Sequence, residues 1–129
     1  MKYVKENFYT LNFSRDIGLY IKEVNGYILE LDGVLYGLAR NDENSNRYVL
    51  THIGTGLKIP FEEYKHKKTL EGFLSNLSAY NEKMNKIPPN TMDEMVGGFT
   101  KTLKDANVDY KKYIQKLEKG SKIYHCKSK

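Results

Sequence analysis

Two Asx-Gly dipeptides in the N-terminal half constrain the fold of this chain more strongly than any other feature of its sequence. Asn25-Gly26 and Asp32-Gly33 each favour a two-residue type I′ turn, because both central positions of that turn need a positive φ. The segments around them are rich in Ile, Val, Leu and Tyr, as strands are. The pattern therefore predicts a three-stranded antiparallel meander formed by residues 17–24, 27–31 and 34–40.

The same reasoning extends the sheet on both sides of this meander. An earlier strand is predicted at 8–13, and the polar segment 41–46 is predicted to be a loop before a strand at 47–53. A Gly-Thr-Gly turn at 54–56 then leads into a short strand at 57–61. We expect four to five strands in total.

Two-residue turns also fix which side chains share a face of the sheet. A turn at Asn25-Gly26 would pair Val24 with Tyr27, and a turn at Asp32-Gly33 would pair Leu31 with Val34. The face predicted to lie against the core then carries Tyr20, Lys22, Val24, Tyr27, Leu29, Leu31, Val34, Tyr36 and Leu38. The opposite face is still half apolar, with Leu19, Ile21, Glu23, Ile28, Glu30, Leu35, Gly37 and Ala39. We expect a helix or a partner to cover part of that second face.

Beyond residue 68 the apolar period changes from that of a strand to that of a helix. Residues 69–86 carry a helical stripe that Pro88-Pro89 ends, and Thr91 with Glu94 matches a capping box for the next helix. A last helix is predicted at 108–119, with Gly120 as its C-terminal stop and with one apolar stripe, Tyr110, Tyr113, Ile114 and Leu117.

Together these segments predict one α+β domain over residues 1–120. Its antiparallel meander would span about 7–61, and its two or three helices, at about 69–120, would pack on one face of the sheet. Residues 121–129 are predicted to form a basic, flexible tail. The apolar second face of the sheet leaves both a monomer and a homodimer open.

Charge is distributed unevenly along the chain. Residues 1–64 carry 7 Lys and Arg against 9 Asp and Glu, whereas residues 65–129 carry 14 against 7, which gives the net charge of +5. A basic C-terminal segment of this kind suits an acidic protein surface or a nucleic acid as partner. The candidate partner-binding residues are Lys101, Lys104, Lys111, Lys112, Lys116 and Lys119.

The basic last helix has two interpretations. Its lysines and tyrosines could contact phosphates and stack on bases, as in proteins that bind single strands. Alternatively it is an amphipathic packing helix whose tyrosines face the core and whose lysines are solvated. The second interpretation is favoured, because the tyrosines lie on the apolar stripe. The basic residues are also 18 Lys to only three Arg, whereas a phosphate-reading surface prefers the bidentate Arg side chain.

Several functional classes find little support in the sequence. The chain has no apolar run long enough to span a membrane, and its charged first residues lead us to expect no secretory signal. Its single cysteine, Cys126, suits a reducing cytoplasm. Its three histidines are too scattered for a zinc set, so no metal and no cofactor are expected. One candidate small-ligand site is left, at His52 and Thr55 beside the Gly-Thr-Gly turn, although a tight structural turn explains the same residues.

The sequence therefore favours a cytoplasmic, non-enzymatic protein that binds a protein or nucleoprotein partner. Residues 48–59 resemble in style small proteins of Gram-positive phages and mobile elements, without matching a particular family. One concrete form of the hypothesis is thus a phage- or mobile-element-encoded inhibitor of a host or defence nucleoprotein, as anti-CRISPR proteins are. The alternatives are a nucleic-acid-binding protein that uses the basic C-terminal helix, and a small enzyme or nucleotide or metabolite binder centred on His52.

Overall fold

A computed structural model of the protein shows an antiparallel sheet followed by helices. The structure describes residues 4–40, 48–59, 70–120 and 122–126. The α+β prediction is confirmed. In chain order the elements are β1 (Lys5–Ser14), β2 (Gly18–Leu31), β3 (Val34–Arg40), β4 (Tyr48–His52), β5 (Leu57–Ile59), α1 (Leu70–Asn85), α2 (Pro89–Asp105), α3 (Tyr110–Gly120) and β6 (Ile123–His125). Strands β1 to β5 lie in sequence order as a meander. The predicted loop at 41–46 lies outside the described residues.

Only one of the two predicted type I′ turns is present. Asp32 and Gly33 have φ angles of 52° and 82°, and the predicted pairing of Leu31 with Val34 is confirmed. The turn at Asn25-Gly26 was wrong, because both residues lie inside the 14-residue strand β2. A Cβ atom at Gly26 would collide with the carbonyl oxygen of Leu38 in β3. This glycine therefore serves the close approach of two backbones and not a turn.

The first hairpin of the sheet joins β1 to β2 instead. Its turn is formed by residues 15–17, and the pairing runs from Ser14 with Gly18 back to Lys5 with Tyr27. Gly18 has a φ of 77°, which a residue with a side chain rarely adopts. The pairing of Val24 with Tyr27 was therefore wrong, and Val24 lies opposite Phe8.

The sheet curls until its first and last strands approach each other. The backbone N–H of Leu11 in β1 donates a 2.7 Å hydrogen bond to the carbonyl of Gly56, which precedes β5. Side chains from all five strands then line one cavity on the inner, concave face of the sheet. Phe8 and Gly37 also meet on this face, because the ring of Phe8 occupies the space that a Cβ at Gly37 would need.

Helices cover both faces of the sheet, so the prediction that they share one face was wrong. Leu77 and Tyr80 of α1 pack on the outer face, against Leu29, Leu31, Tyr36, Leu38 and Leu50. Helices α2 and α3 pack on the inner face, where Phe99, Leu103, Tyr113 and Leu117 join Phe8, Ile28, Ala39 and Ile53. At the edge of β1 the same cluster also contacts Tyr9, Leu11 and Ile21, whose side chains alternate with those of the inner face. The protein's own helices therefore bury part of the apolar second face that the sequence left to a helix or a partner, including Ile28 and Ala39, whereas Leu19 of that face stays exposed.

Proline and asparagine set the bounds of α2. The predicted capping box was wrong, because the helix begins at Pro89, with Pro88 at the N-cap and no side-chain cap. Proline suits a first helical position, since its φ is already helical and an N–H there has no intrahelical partner. At the other end Asn107 has a φ of 62°, and the N–H of Val108 donates to the carbonyl of Leu103. This pattern is a Schellman motif.

The predicted flexible tail contains a strand. Residues Ile123–His125 form β6, which pairs in parallel with Ile28–Glu30 of β2. The backbone N–H of Cys126 continues the contact with a 2.8 Å hydrogen bond to the carbonyl of Glu30. His125 Nδ1 also lies 2.7 Å from the Glu30 carboxylate. The segment is therefore fastened to the sheet by both backbone and side-chain contacts.

None of the three helices in the described part of the chain combines the length and apolar character that crossing a bilayer requires.

Candidate functional site

Three large apolar side chains are exposed together at the tip of the β1–β2 hairpin. Phe13, Ile17 and Leu19 are 71%, 68% and 52% exposed. Phe13 and Leu19 lie directly opposite each other on neighbouring strands, and Ile17 belongs to the turn between them. We name these three residues the hairpin patch. Single exposed apolar residues are ordinary on a protein surface, whereas adjacent ones mark an interaction site.

The base of the hairpin is held firmly, which gives the hairpin patch a defined position. Leu11 and Ile21 lie opposite each other one step nearer the core, and both are partly buried against the cluster that contains α2 and α3. The bond from Leu11 N–H to Gly56 fixes the same strand from its other edge. A partner would therefore meet side chains on an ordered strand pair, with little conformational entropy to lose on binding.

Burial of the hairpin patch by a partner would release a useful amount of free energy. Complete burial of a Leu, Ile or Phe side chain is worth about 1.5–3 kcal/mol each. The turn between the strands adds one positive and one negative charge, from the exposed Arg15 and Asp16. The tip thus combines apolar contact area with polar groups at its rim, which is the usual composition of a protein interface.

Sequence reasoning missed the hairpin patch because it put the first turn in the wrong place. With a turn at Asn25-Gly26, Ile17 was expected to begin a strand and Phe13 to end another. The sequence does hold a signal for the true turn, in Asp16 followed by Gly18. A three-residue loop that ends in a left-handed glycine is a common hairpin connection.

The six lysines predicted to bind a partner are all exposed on α2 and α3, namely Lys101, Lys104, Lys111, Lys112, Lys116 and Lys119. Within the described part of the chain, no carboxylate oxygen lies within 4.0 Å of their Nζ atoms. Tyr113 and Leu117 of α3 are buried, and Tyr110 is half-buried. The packing interpretation of the tyrosines is therefore confirmed, while the lysines form a solvated basic surface.

His52 and Thr55 contact each other inside the turn that follows β4. His52 Nδ1 lies 3.0 Å from Thr55 Oγ1, and the His52 carbonyl accepts a 2.8 Å hydrogen bond from Gly56 N–H. Thr55 is fully buried and His52 is 8% exposed. The rings of His52 and Tyr36 form a T-shaped contact, with their centroids 5.8 Å apart. Burial lowers the pKa of His52 from its ordinary value. These contacts hold the turn together, and neither side chain lines the cavity of the concave face.

Among the described residues, no group of three or more His, Cys, Asp and Glu side chains is arranged to hold a metal ion. Among the exposed surfaces, the hairpin patch is the most distinctive candidate, because it places three exposed apolar side chains together. No protein-family model matches this chain, and no curated protein sequence or solved structure matches it either.

Proposed function

We propose that this protein acts by binding another protein, and that the hairpin patch is the centre of the interface. The observation that carries the proposal is the exposure of Phe13, Ile17 and Leu19 side by side on an ordered hairpin. Clustered apolar side chains at the middle of an interface supply most of its affinity. The partner is expected to present an apolar pocket for these side chains.

The basic surface of α2 and α3 predicts a second property of the partner. Six exposed lysines without a carboxylate neighbour in the described structure create a positive field on a chain whose net charge is +5. Such a field accelerates association with an acidic surface and is screened by salt. We therefore propose a partner whose surface is acidic around its apolar pocket.

An inhibitor of a host or defence nucleoprotein is one concrete form of this proposal. The protein component of a nucleoprotein would supply the apolar pocket, and its nucleic acid would supply negative charge. The hairpin patch and the lysines would then act on the same target with different roles. Affinity would come mainly from the hairpin patch, and the rate of association from the lysines.

The proposal is tested by affinity capture from the native host lysate after nuclease treatment. Three tagged chains are compared: the natural sequence, a patch variant (Phe13→Ser, Ile17→Ser and Leu19→Ser), and a matched control, Val4→Ser. Val4 is also exposed, at 47%, but lies outside the hairpin patch. A captured protein is then purified, and its binary affinity for each chain is measured.

The proposal is supported if the natural chain and Val4→Ser bind the captured protein with equal affinity. The patch variant should bind it at least about 100-fold more weakly, which corresponds to a loss of about 2.7 kcal/mol in binding free energy. If the patch variant bound the purified partner as tightly as the natural chain does, the hairpin patch would not be part of the interface. Substitutions at exposed positions change stability little, so loss of binding would not reflect unfolding. Thermal unfolding of each variant checks this point.

Direct nucleic-acid binding is a second candidate, favoured by the same six lysines. It predicts that affinity for single-stranded DNA or RNA falls steeply with salt, because each neutralised phosphate releases counterions. Substitution of Lys112, Lys116 and Lys119 by Gln would weaken such binding, while the patch variant would retain it. Affinity that is independent of salt would argue against this function.

A further inference from the structure

A cavity of about 100 Å³ lies on the concave face of the sheet, and six of its nine lining residues have polar side chains. The polar residues there are Thr10, Asn12, Tyr20, Lys22, Thr51 and Lys58, drawn from four different strands. Thr10 and Thr51 are 5% and 1% exposed, so they form the buried part of the lining. Lys22 and Lys58 are exposed, so they lie at its mouth.

The hydroxyl group of Thr51 lacks a hydrogen-bond partner among the described residues. Thr10, by contrast, is integrated in the sheet: its Oγ1 accepts a 3.0 Å bond from Asn12 Nδ2 and lies 3.4 Å from the carbonyl of Lys22. A buried hydroxyl without a partner costs about 1–3 kcal/mol, so such groups in proteins usually meet a ligand or water. Thr51 thus offers a donor to whatever occupies the cavity.

The charges around the cavity are all of one sign. Both lysines are positive, and no Asp or Glu of the described chain contributes to the lining. Lys58 Nζ donates a 2.5 Å hydrogen bond to Asn12 Oδ1, which turns its ammonium group toward the cavity wall formed by β1. Two ammonium groups and a buried hydroxyl are the groups that bind an oxyanion.

We propose that this cavity binds a small oxyanion of the size of phosphate, either free or as the terminal group of a phosphate monoester. An enclosed space of about 150 Å³ accommodates benzene, so a cavity of this volume admits a phosphate group but not a whole nucleotide. Lys22 and Lys58 neutralise the charge, and the Thr51 hydroxyl donates a hydrogen bond to one oxygen. The rest of a monoester would extend past the lysines into solvent.

This site is independent of the proposed protein interface. Asn12 and Tyr20 alternate along their strands with Phe13 and Leu19, so the cavity and the hairpin patch lie on opposite faces of the same hairpin. An occupant of the cavity therefore leaves the hairpin patch accessible. The patch variant described above serves as a control that must retain anion binding.

The test is a ¹H–¹⁵N NMR titration of the whole chain with inorganic phosphate, with a phosphate monoester such as glycerol phosphate, and with chloride at equal ionic strength. Five chains are compared: the natural sequence, Thr51→Val, Lys58→Met, and two controls, Lys116→Met and the patch variant. Thr51→Val keeps the shape of the side chain and removes only the hydroxyl. Lys58 is exposed, so its substitution leaves the fold intact even if Thr51→Val does not fold.

We expect the amide signals of Thr10, Thr51 and Lys58 to shift and saturate at phosphate concentrations on the order of millimolar. The midpoint of thermal unfolding should rise as the phosphate concentration increases. Thr51→Val and Lys58→Met should each weaken binding about tenfold or more, and Lys116→Met should not. Tighter binding of the monoester than of phosphate would identify an organic phosphate as the ligand class, and equal binding would identify the free anion. Shifts that do not saturate, that chloride reproduces, or that persist in both cavity variants would overturn the proposal.

Discussion

The hydroxyl group of Tyr113 in α3 accepts a 2.8 Å hydrogen bond from the backbone N–H of Tyr9 in β1, across 104 residues of sequence. Their rings lie 5.1 Å apart at an angle of 57°. This N–H lies on the edge of β1 that faces away from β2, so it forms no hydrogen bond with β2. A helix side chain thus satisfies a backbone group that a neighbouring strand would otherwise have to pair.

Substitution of Tyr113 by Phe should lower the free energy of unfolding by about 1–3 kcal/mol. The change keeps the ring and its packing but leaves the partly buried Tyr9 N–H without its acceptor. Urea denaturation followed by circular dichroism measures the difference. Tyr20→Phe is the matched control, because Tyr20 is partly exposed and its hydroxyl has no hydrogen bond within the described structure. Equal stability of the two variants would show that the Tyr9 bond contributes nothing.

Substitution of Gly37 by Ala should destabilise the protein by about 1–3 kcal/mol, through overpacking of the concave face. The new Cβ would lie 2.5 Å from Cε2 and Cζ of Phe8, and that ring is buried and cannot swing into solvent. The double variant with Phe8→Leu should recover part of the loss, because the smaller side chain leaves room for the methyl group. A double-mutant cycle measures this coupling. Additive losses would mean that the two residues do not compete for space.

Substitution of Gly97 by Ala should stabilise the protein by about 0.5–1 kcal/mol. Gly97 lies in α2, and apart from its chain neighbours and the helix's own backbone, no atom of the described residues is within 4 Å of the position where its Cβ would be placed. Alanine restricts the unfolded chain and costs nothing in the folded one. The midpoint of thermal unfolding should therefore rise. Gly33→Ala is the contrasting control, since its φ of 82° makes a side chain unfavourable and the midpoint should fall.

Stability should decrease as the pH falls below about 6.5, the ordinary pKa of histidine. Burial lowers the pKa of His52 in the folded protein, so the unfolded chain takes up a proton at a pH where the folded chain does not. The contribution of His52 is therefore present above pH 6.5 and is lost on acidification toward the lowered pKa. His52→Asn keeps a polar group at the position of Nδ1, which lies 3.0 Å from Thr55 Oγ1, and removes the titration. Urea midpoints between pH 8 and pH 5 should fall less steeply for this variant.

The two Asx-Gly dipeptides show how much of the fold the sequence could predict. Asp32-Gly33 has strand-forming residues on both sides and no competing partner, so its local preference decided the structure. Asn25 instead pairs with Asn7 of β1, and their side chains share a 2.7 Å hydrogen bond. Ten paired residues of β1 outweigh one turn preference, and that long-range pairing is not encoded near residue 25.

The candidate site was predictable only in part for the same reason. The lysines of α3 follow from helical periodicity, which is local, and they are exposed as expected. The hairpin patch and the cavity depend on the register of β1 with β2, which brings Phe13 opposite Leu19 and Asn12 opposite Tyr20. A shift of the turn changes every such neighbour at once. Sequence patterns therefore identified the basic surface and missed both sites on the hairpin.

The parallel pairing of β6 with β2 has a consequence for how the protein is made. On the ribosome, Glu30 emerges 95 residues before His125, the residue that its carboxylate contacts. Until then the segment Ile28–Glu30 has β3 on one side and an open edge on the other. Nascent chains with unpaired strand edges are prone to associate with one another. This step of sheet formation must therefore wait until residues 123–125 have been synthesised, and a truncation before residue 123 should yield a chain that aggregates more readily during translation.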